Sequence, residues 1–300
     1  MTDSGIILID KPEGPSSSQV VQKVKRVIGA KKVGHLGTLD PFASGLLLLG
    51  VNEGTKVADI FLAAPKTYCG LMVLGVTTDS QDRTGQVLET RPVGEVTDAD
   101  LLRLEKKFTG DLQQVPPMFS ALKRNGVRLY QLAREGKEIE RESRSIRVET
   151  LHLSKASETE IRFEVSCSRG TYVRTLAADM GAELGCGAHL KELRRMACGD
   201  LTISDALSID TLEMLYARKK DFMLSLNRAL SHVPAVRWPN SWVSRLRLGQ
   251  QQVLAQLGMP SSGDKLLRIE DGRGELVALL KPDESTTSRP WCVARIFRAQ

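Results

Sequence analysis

A chain of 300 residues, 41% hydrophobic and 26% charged, is large enough to bury its own core, which sets aside disordered and fibrous classes and any need for a disulfide or structural metal. A formal charge of +6 and a pI near 9.1 suit an acidic partner, because clustered Lys and Arg release counterions from phosphates, although a merely basic surface gives the same totals. The five cysteines form no C-x-x-C and His152 and His232 have no neighbouring ligand, so no metal is expected, and the absence of a signal-like start or a membrane-length apolar run predicts a cytoplasmic protein.

Gly5 to Asp10 is an apolar run closed by Lys11-Pro12-Glu13-Gly14-Pro15, a buried strand and its turn. Ser16 to Ser18 offer N-caps, and Val20, Val21, Val24, Val27 and Ile28 recur at helical spacing, with Lys23, Lys25 and Arg26 mostly off that stripe. Gly34 to Pro41 reads as a loop and Ala43 to Val51 as a buried strand, which puts the Asp40 carboxylate where loop meets sheet. Lys66 to Val76 and Val87 to Thr90 read as strands around a polar turn, Asp79 to Gly85, and Asp98 to Phe108 as a helix opened by acidic residues.

From Gln114 to Glu149 the chain becomes basic, with Lys123, Arg124, Arg128, Arg134, Lys137, Arg141, Arg144 and Arg147. This segment is expected as an insertion facing nucleic acid; the interleaved Glu135, Glu138, Glu140 and Glu142 would also fit a solvated charged helix. Ile146 to Leu153 and Glu160 to Cys167 alternate as paired strands, whereas Thr171 to Leu184 and His189 to Met196 are expected as helices. From about Trp238, turn signals at Asp271-Gly272 and Arg273-Gly274 between short apolar runs predict a small β-rich module. The order of elements is mixed α and β, without repeats.

Phosphate-binding and dinucleotide motifs are missing, and Ser44 in Phe42-Ala43-Ser44-Gly45 lacks the first glycine of a hydrolase elbow, so no nucleotide cofactor or serine hydrolase is supported. The unusual stretch is Gly34-His35-Leu36-Gly37-Thr38-Leu39-Asp40-Pro41. Two glycines permit close backbone approach and Pro41 restricts Asp40 to an extended conformation, which can hold one carboxylate rigidly. Asp before Pro is also a common turn former, and His35 could satisfy backbone groups instead.

Several separated motifs resemble the TruB-type family of tRNA pseudouridine-55 synthases. They are Asp10-Lys11-Pro12 with Gly14 and Ser16-Ser17, the Gly34 to Pro41 loop, Lys66-Thr67-Tyr68, Gln114-Val115-Pro116-Pro117, Ser120-Ala121, Cys167 to Thr175, Gly185 to Leu190, and Leu193-Arg194-Arg195. The resemblance implies an α+β pseudouridine synthase fold with a largely antiparallel mixed sheet. Residues 1–237 would form the catalytic domain, with 114–149 an RNA-gripping insertion, and 238–300 a C-terminal PUA-like RNA-binding domain. It implies Asp40 as the catalytic nucleophile, Arg174 as its basic partner, Tyr68 over the target uracil and Leu193 in the apolar pocket wall. His35, Gly37, Thr38, Lys11, Lys66, Tyr172, Arg124 and Arg134 are implied on the RNA side. Tyr68 alone would equally read as a core aromatic. Leu36 and Phe42 depart from the commonest residues at their positions and leave the reactive groups in place.

The implied reaction moves C1′ from N1 to C5 of uridine 55 in the tRNA T-stem loop. It needs no net water, redox equivalent, metal or other cofactor. Asp40 could attack C1′ as carboxylates do in glycosyl transfer; attack at uracil C6 and a glycal route from C2′ stay open. The target must flip out of its loop, which costs a few kcal/mol. The expected partner is tRNA. No membrane and no guide RNA are expected, since guide-dependent relatives lack the long insertion, and a monomer is the simplest assembly.

Overall fold

The computed structural model describes residues 4–120, 122–124, 126–261, 265–283 and 290–298, and only the backbone of Lys123, Arg124 and Arg134. Strand β1 (Gly5–Lys11) turns through the Pro-Glu-Gly-Pro segment into α1 (Ser17–Ile28). Ser16 and Gln19 cap one another's backbone N–H at its start, and Gly29, at φ 60°, ends it in a left-handed conformation. Val20, Val21, Val24 and Ile28 form its buried stripe. β2 (Val33–His35) and β3 (Ser44–Val51) bracket the Asp40 loop, and β3 is buried from Gly45 to Val51, as a strand covered on both faces must be.

After α2 (Ala58–Ala63) come β4 (Lys66–Leu74), a ribbon of β5 (Val76–Thr78) and β6 (Val87–Thr90), then α3 (Asp98–Lys107) and β7 (Gly110–Gln114). The basic insertion holds a hairpin, β8 (Lys123–Arg124) with β9 (Val127–Arg128), and a short α4 (Leu129–Arg134). Its two ends lie in the main sheet, because β10 (Arg144–Lys155) pairs with β7 so that Arg144 opposes Gln114. β11 (Glu160–Cys167), α5 (Val173–Glu183), β12 (Ala188–Cys198) and β13 (Leu201–Thr202) follow.

The main sheet runs β1-β3-β12-β4-β11-β10-β7, with β2 on β3 and β13 on β12. Its pairings are antiparallel except that of β12 with β3, where Arg194 lies beside Ser44 and Arg195 beside Gly45. That crossing is tight. Gly45 has φ 99°, and a Cβ there would stand 2.4 Å from the Arg195 carbonyl oxygen and 2.7 Å from its nitrogen. Gly45→Ala is therefore expected to lower the unfolding free energy by about 3 kcal/mol, from strain and a clash at a central pairing. A denaturant midpoint unchanged from wild type would refute this.

One expected element is different. His189 to Met196, predicted as a helix, is the body of strand β12, paired with β4 on one side and β3 on the other. Register shifts at Leu190/Glu192 and Arg195/Ala197 break the two-residue alternation, so burial falls at Leu190, Leu193, Arg195 and Cys198. The resulting spacing imitates a helical stripe, and pairing on both sides overrides the helix propensity of Glu, Leu, Arg and Met.

Helices α6 (Ile209–Ala217) and α7 (Leu226–Ala229) lead to a second sheet of β14 (Ala235–Arg237), β15 (Leu267–Glu270), β16 (Leu276–Pro282) and β17 (Trp291–Ile296), with α8 (Asn240–Arg247) between its first two strands. The β-rich module thus starts at Ala235, slightly before Trp238. It has its own core around Trp238, Leu246, Val277 and Trp291. Leu276, Leu279 and Phe297 instead pack with Ile6, Leu8, Leu46 and Phe61 of the larger unit. Lys56 Nζ also donates to the Ile296 carbonyl at 2.8 Å, and Arg268 Nε to that of Val233 at 2.9 Å. Shared apolar packing and charged hydrogen bonds dock the module firmly.

Candidate active site

The segment from Leu36 to Ala43 is fixed from three directions. From α1, the Ser17 hydroxyl accepts from Leu39 N–H at 2.8 Å and donates to Leu39 C=O at 2.9 Å. From the end of β1, Lys11 Nζ donates to the carbonyls of Pro12, Pro15 and Pro41 at 2.8, 2.9 and 3.3 Å. From β12, Arg195 donates through Nε to Leu46 C=O at 2.7 Å, through Nη1 to Thr38 C=O at 3.2 Å and through Nη2 to Gly37 C=O at 3.1 Å. The Asp40 carbonyl in turn accepts from Ala43 N–H at 3.2 Å. A loop held this way presents its carboxylate at one place.

Arg174, in the first turn of α5, places Nε 2.9 Å from Asp40 Oδ2. Its guanidinium is itself locked: Nη1 donates to Ser80 C=O and Nη2 to Phe119 C=O, both at 2.7 Å, and Asp82 Oδ2 stands 3.7 Å from Nη1. Asp82 is oriented by Ser80 Oγ, Thr84 N–H and Thr84 Oγ1 at 2.9, 2.9 and 2.6 Å. The Arg174 side chain is 5% exposed, that of Asp40 38%. One edge of the carboxylate is therefore held against a desolvated cation while another stays open to a substrate, an arrangement that fits a positioned anionic nucleophile.

Tyr68 lies on β4 between Val165 of β11 and Arg195 of β12. Burial pushes its phenol pKa up, and the Arg195 guanidinium is the first influence to oppose the rise. The Tyr172 backbone, just before α5, is clamped by the buried Gln114 amide, which accepts from Tyr172 N–H at 2.8 Å and donates to its C=O at 3.1 Å. Burial raises the Tyr172 phenol too, opposed by the Ser120 hydroxyl, Arg144 and Arg174. His35 ends β2, and its buried Nδ1 has no hydrogen-bond partner. Burial, then Arg195, lowers the His35 pKa, which favours the neutral ring. Leu193 packs in the main core opposite Gly70, while Gly37 and Thr38 belong to the anchored loop.

The two lysines expected on the RNA side occupy other positions. Lys11 is fully buried on its three carbonyls, and Lys66, 8% exposed, donates to the carbonyls of Phe61, Leu62 and Ala64 at 2.9, 2.7 and 2.7 Å around the end of α2. With their donors engaged on backbone oxygens, both are supports rather than phosphate contacts. Desolvation lowers the Lys11 ammonium to about 8, against the pull of Asp40 and Glu13. The side chains of Arg124 and Arg134 lie outside the described residues. From the sequence, Asp82 received no role, and Gln114 and Arg195 were named only as members of family motifs, without a role. For Asp82 the polar turn Asp79 to Gly85 was the available signal.

A cavity of about 1130 Å³ lies elsewhere, lined by Leu8, Phe61, Cys198, Leu224 and Leu266. The Asp40 carboxylate does not line it. Among the described residues no group of three His, Cys, Asp or Glu side chains is placed to hold a metal.

Residues 25–173 match the N-terminal domain of the TruB family of pseudouridylate synthases, and residues 174–233 match the tRNA pseudouridylate synthase B C-terminal domain. The chain is 43% identical over 274 residues to tRNA pseudouridine synthase B of Nitrosococcus oceani, covering 90% of this chain and 88% of that one. It is 43% identical over 276 residues to the protein of the same name from Geobacter sulfurreducens, covering 89% and 90%. Among solved structures it is similar to a Cbf5-Nop10-Gar1 complex, with a TM-score of 0.72 at 26% identity over 98% of this chain and 85% of that one. An H/ACA RNP bound to a substrate RNA containing 2′-deoxyuridine gives 0.71 at 25% identity, with the same coverage.

Proposed function

We propose that this chain, which belongs to the TruB family of pseudouridylate synthases, converts uridine 55 in the T-stem loop of tRNA to pseudouridine with Asp40 as nucleophile. The relatives named tRNA pseudouridine synthase B support the activity. The observation that carries the residue assignment is the half-open Asp40 carboxylate, 2.9 Å from a buried Arg174, on a loop anchored from three elements.

The isomerisation breaks N1–C1′, forms C5–C1′, removes the C5 proton and returns a proton to N1. In the direct route Asp40 attacks C1′ and uracil departs as an anion; the base turns, C5 attacks C1′ and the carboxylate is released. Attack at C6 starts from the same carboxylate, whereas a glycal route starts with loss of the C2′ proton, for which Tyr68 is the candidate base. Each route requires a flipped uridine, a cost of about a few kcal/mol offset by RNA contacts elsewhere. The basic insertion and the C-terminal module are our candidate grips, with His35 and Tyr172 holding nucleotides at the cleft.

The enzyme acts without a guide RNA in this reading, which the 43% identity to tRNA-named relatives and the basic insertion support. A tRNA substrate also fits the cytoplasmic location expected from the sequence. Nucleotide-resolved detection on unmodified tRNA, with purified protein and no added cofactor, is expected to show complete conversion at the T-loop uridine. Binding without conversion would favour an RNA-folding protein on the same scaffold.

A further inference from the structure

Arg195 is 2% exposed, and among the described residues no carboxylate forms an ion pair with it. A guanidinium in that position is costly unless it is hydrogen-bonded, and here the carbonyls of Leu46, Thr38 and Gly37 accept one hydrogen bond from each of its three nitrogens. Two of those carbonyls belong to the residues three and two before Asp40. The same side chain is the leading influence against the burial-driven rise of Tyr68 and the second cause of the lowered His35 pKa. Its hydrogen-bonded partners are thus in the loop that carries Asp40 and at the start of β3, its pairing neighbour across β12 and β4 is Tyr68, and its charge reaches the His35 ring, whose Nδ1 has no hydrogen-bond partner.

We propose that Arg195 is a positioning residue for this reaction: one buried cation ties the backbone that carries Asp40 to Tyr68 and His35, and so fixes their mutual placement. The inference rests on the functional reading above. Arg174 holds the Asp40 side chain, whereas Arg195 holds the loop beneath it; the two act on different degrees of freedom. A planar fork with three backbone acceptors is suited to this, because an ammonium in the same place has neither the span nor the fixed direction. The adjacent Arg194 makes a contrast: it is 39% exposed and pairs with Asp10 at 2.7 Å.

The test compares wild type, Arg195→Lys and Arg195→Gln in conversion of unmodified tRNA, with kcat and KM separated, alongside thermal melting and NMR titration of the histidine rings. Arg195→Lys is expected to lower kcat at least about tenfold and Arg195→Gln about a hundredfold, with KM within about threefold of wild type, since misplacement of about 1 Å costs rate rather than binding. Removing the cation in Arg195→Gln is also expected to move the His35 titration to higher pH, a readout that does not depend on turnover. The inference fails if both variants keep kcat within about twofold, if the loss appears in KM alone, or if His35 titrates unchanged in folded Arg195→Gln. Wild-type protein that makes no pseudouridine would overturn the functional reading, and this inference with it; an active wild type with unimpaired variants would overturn the inference alone.

Discussion

Asp40→Asn is expected to lower single-turnover conversion of the T-loop uridine by at least about 10⁴-fold while leaving tRNA affinity within about threefold. The substitution is nearly isosteric, and an amide oxygen can still accept from Arg174 Nε where the carboxylate now does at 2.9 Å. Arg174 also keeps Ser80, Phe119 and Asp82, so the surrounding network has no reason to collapse. What disappears is the negative charge and with it the proposed nucleophile. Affinity should persist because phosphate contacts, not one carboxylate, dominate RNA binding. Stability should change by less than about 1 kcal/mol, since the pair is open on its Asp40 side. Conversion within about tenfold of wild type would remove Asp40 from the reaction; a parallel loss of binding and melting temperature would instead make it a structural residue.

The sequence pattern reveals those parts of the molecule whose partners are side chains or whose burial follows a simple period. The valine stripe of α1, the continuous apolar run of β3 and the alternation of β11 all appear where expected, because each is covered in the manner its period implies. β12 does not, because two bulges displace its buried residues from alternation. Asp40 stood out by its glycine-flanked, proline-stopped loop, and Arg174 and Tyr68 by family resemblance. The buried cations were hidden for a common physical reason. Lys11, Lys66 and Arg195 are each satisfied by backbone carbonyls, and a carbonyl leaves no trace in residue identity. A lysine beside proline or an arginine in Leu193-Arg194-Arg195 therefore looks like surface until the chain is folded. The same blindness hid the Gln114 clamp on Tyr172, which acts on backbone at both of its contacts.

This carbonyl-based solvation also predicts the outcome at Arg174. Arg174→Lys keeps a positive charge beside Asp40 and is expected to lower kcat by about 10²- to 10³-fold, with a smaller change in tRNA affinity. The arginine makes three directed contacts at once, to Asp40, Ser80 and Phe119, with Asp82 close by. A lysine ammonium has three donors but no fixed spread between them, so it can approach Asp40 or Asp82 and not bridge the set. Charge retention spares the buried Asp82 from standing alone, which keeps the cost to stability nearer 1–2 kcal/mol than the 3–5 kcal/mol, roughly, of deleting one partner of a buried pair. Arg174→Met should show the larger loss in melting experiments, because it leaves Asp82 without its cation. Phe119 lies at the root of the basic insertion, so the weakened tie should also let the insertion's first residues move relative to Asp40. If Arg174→Lys turned over at the wild-type rate, charge alone would be sufficient beside Asp40 and the directed guanidinium would have no part in catalysis.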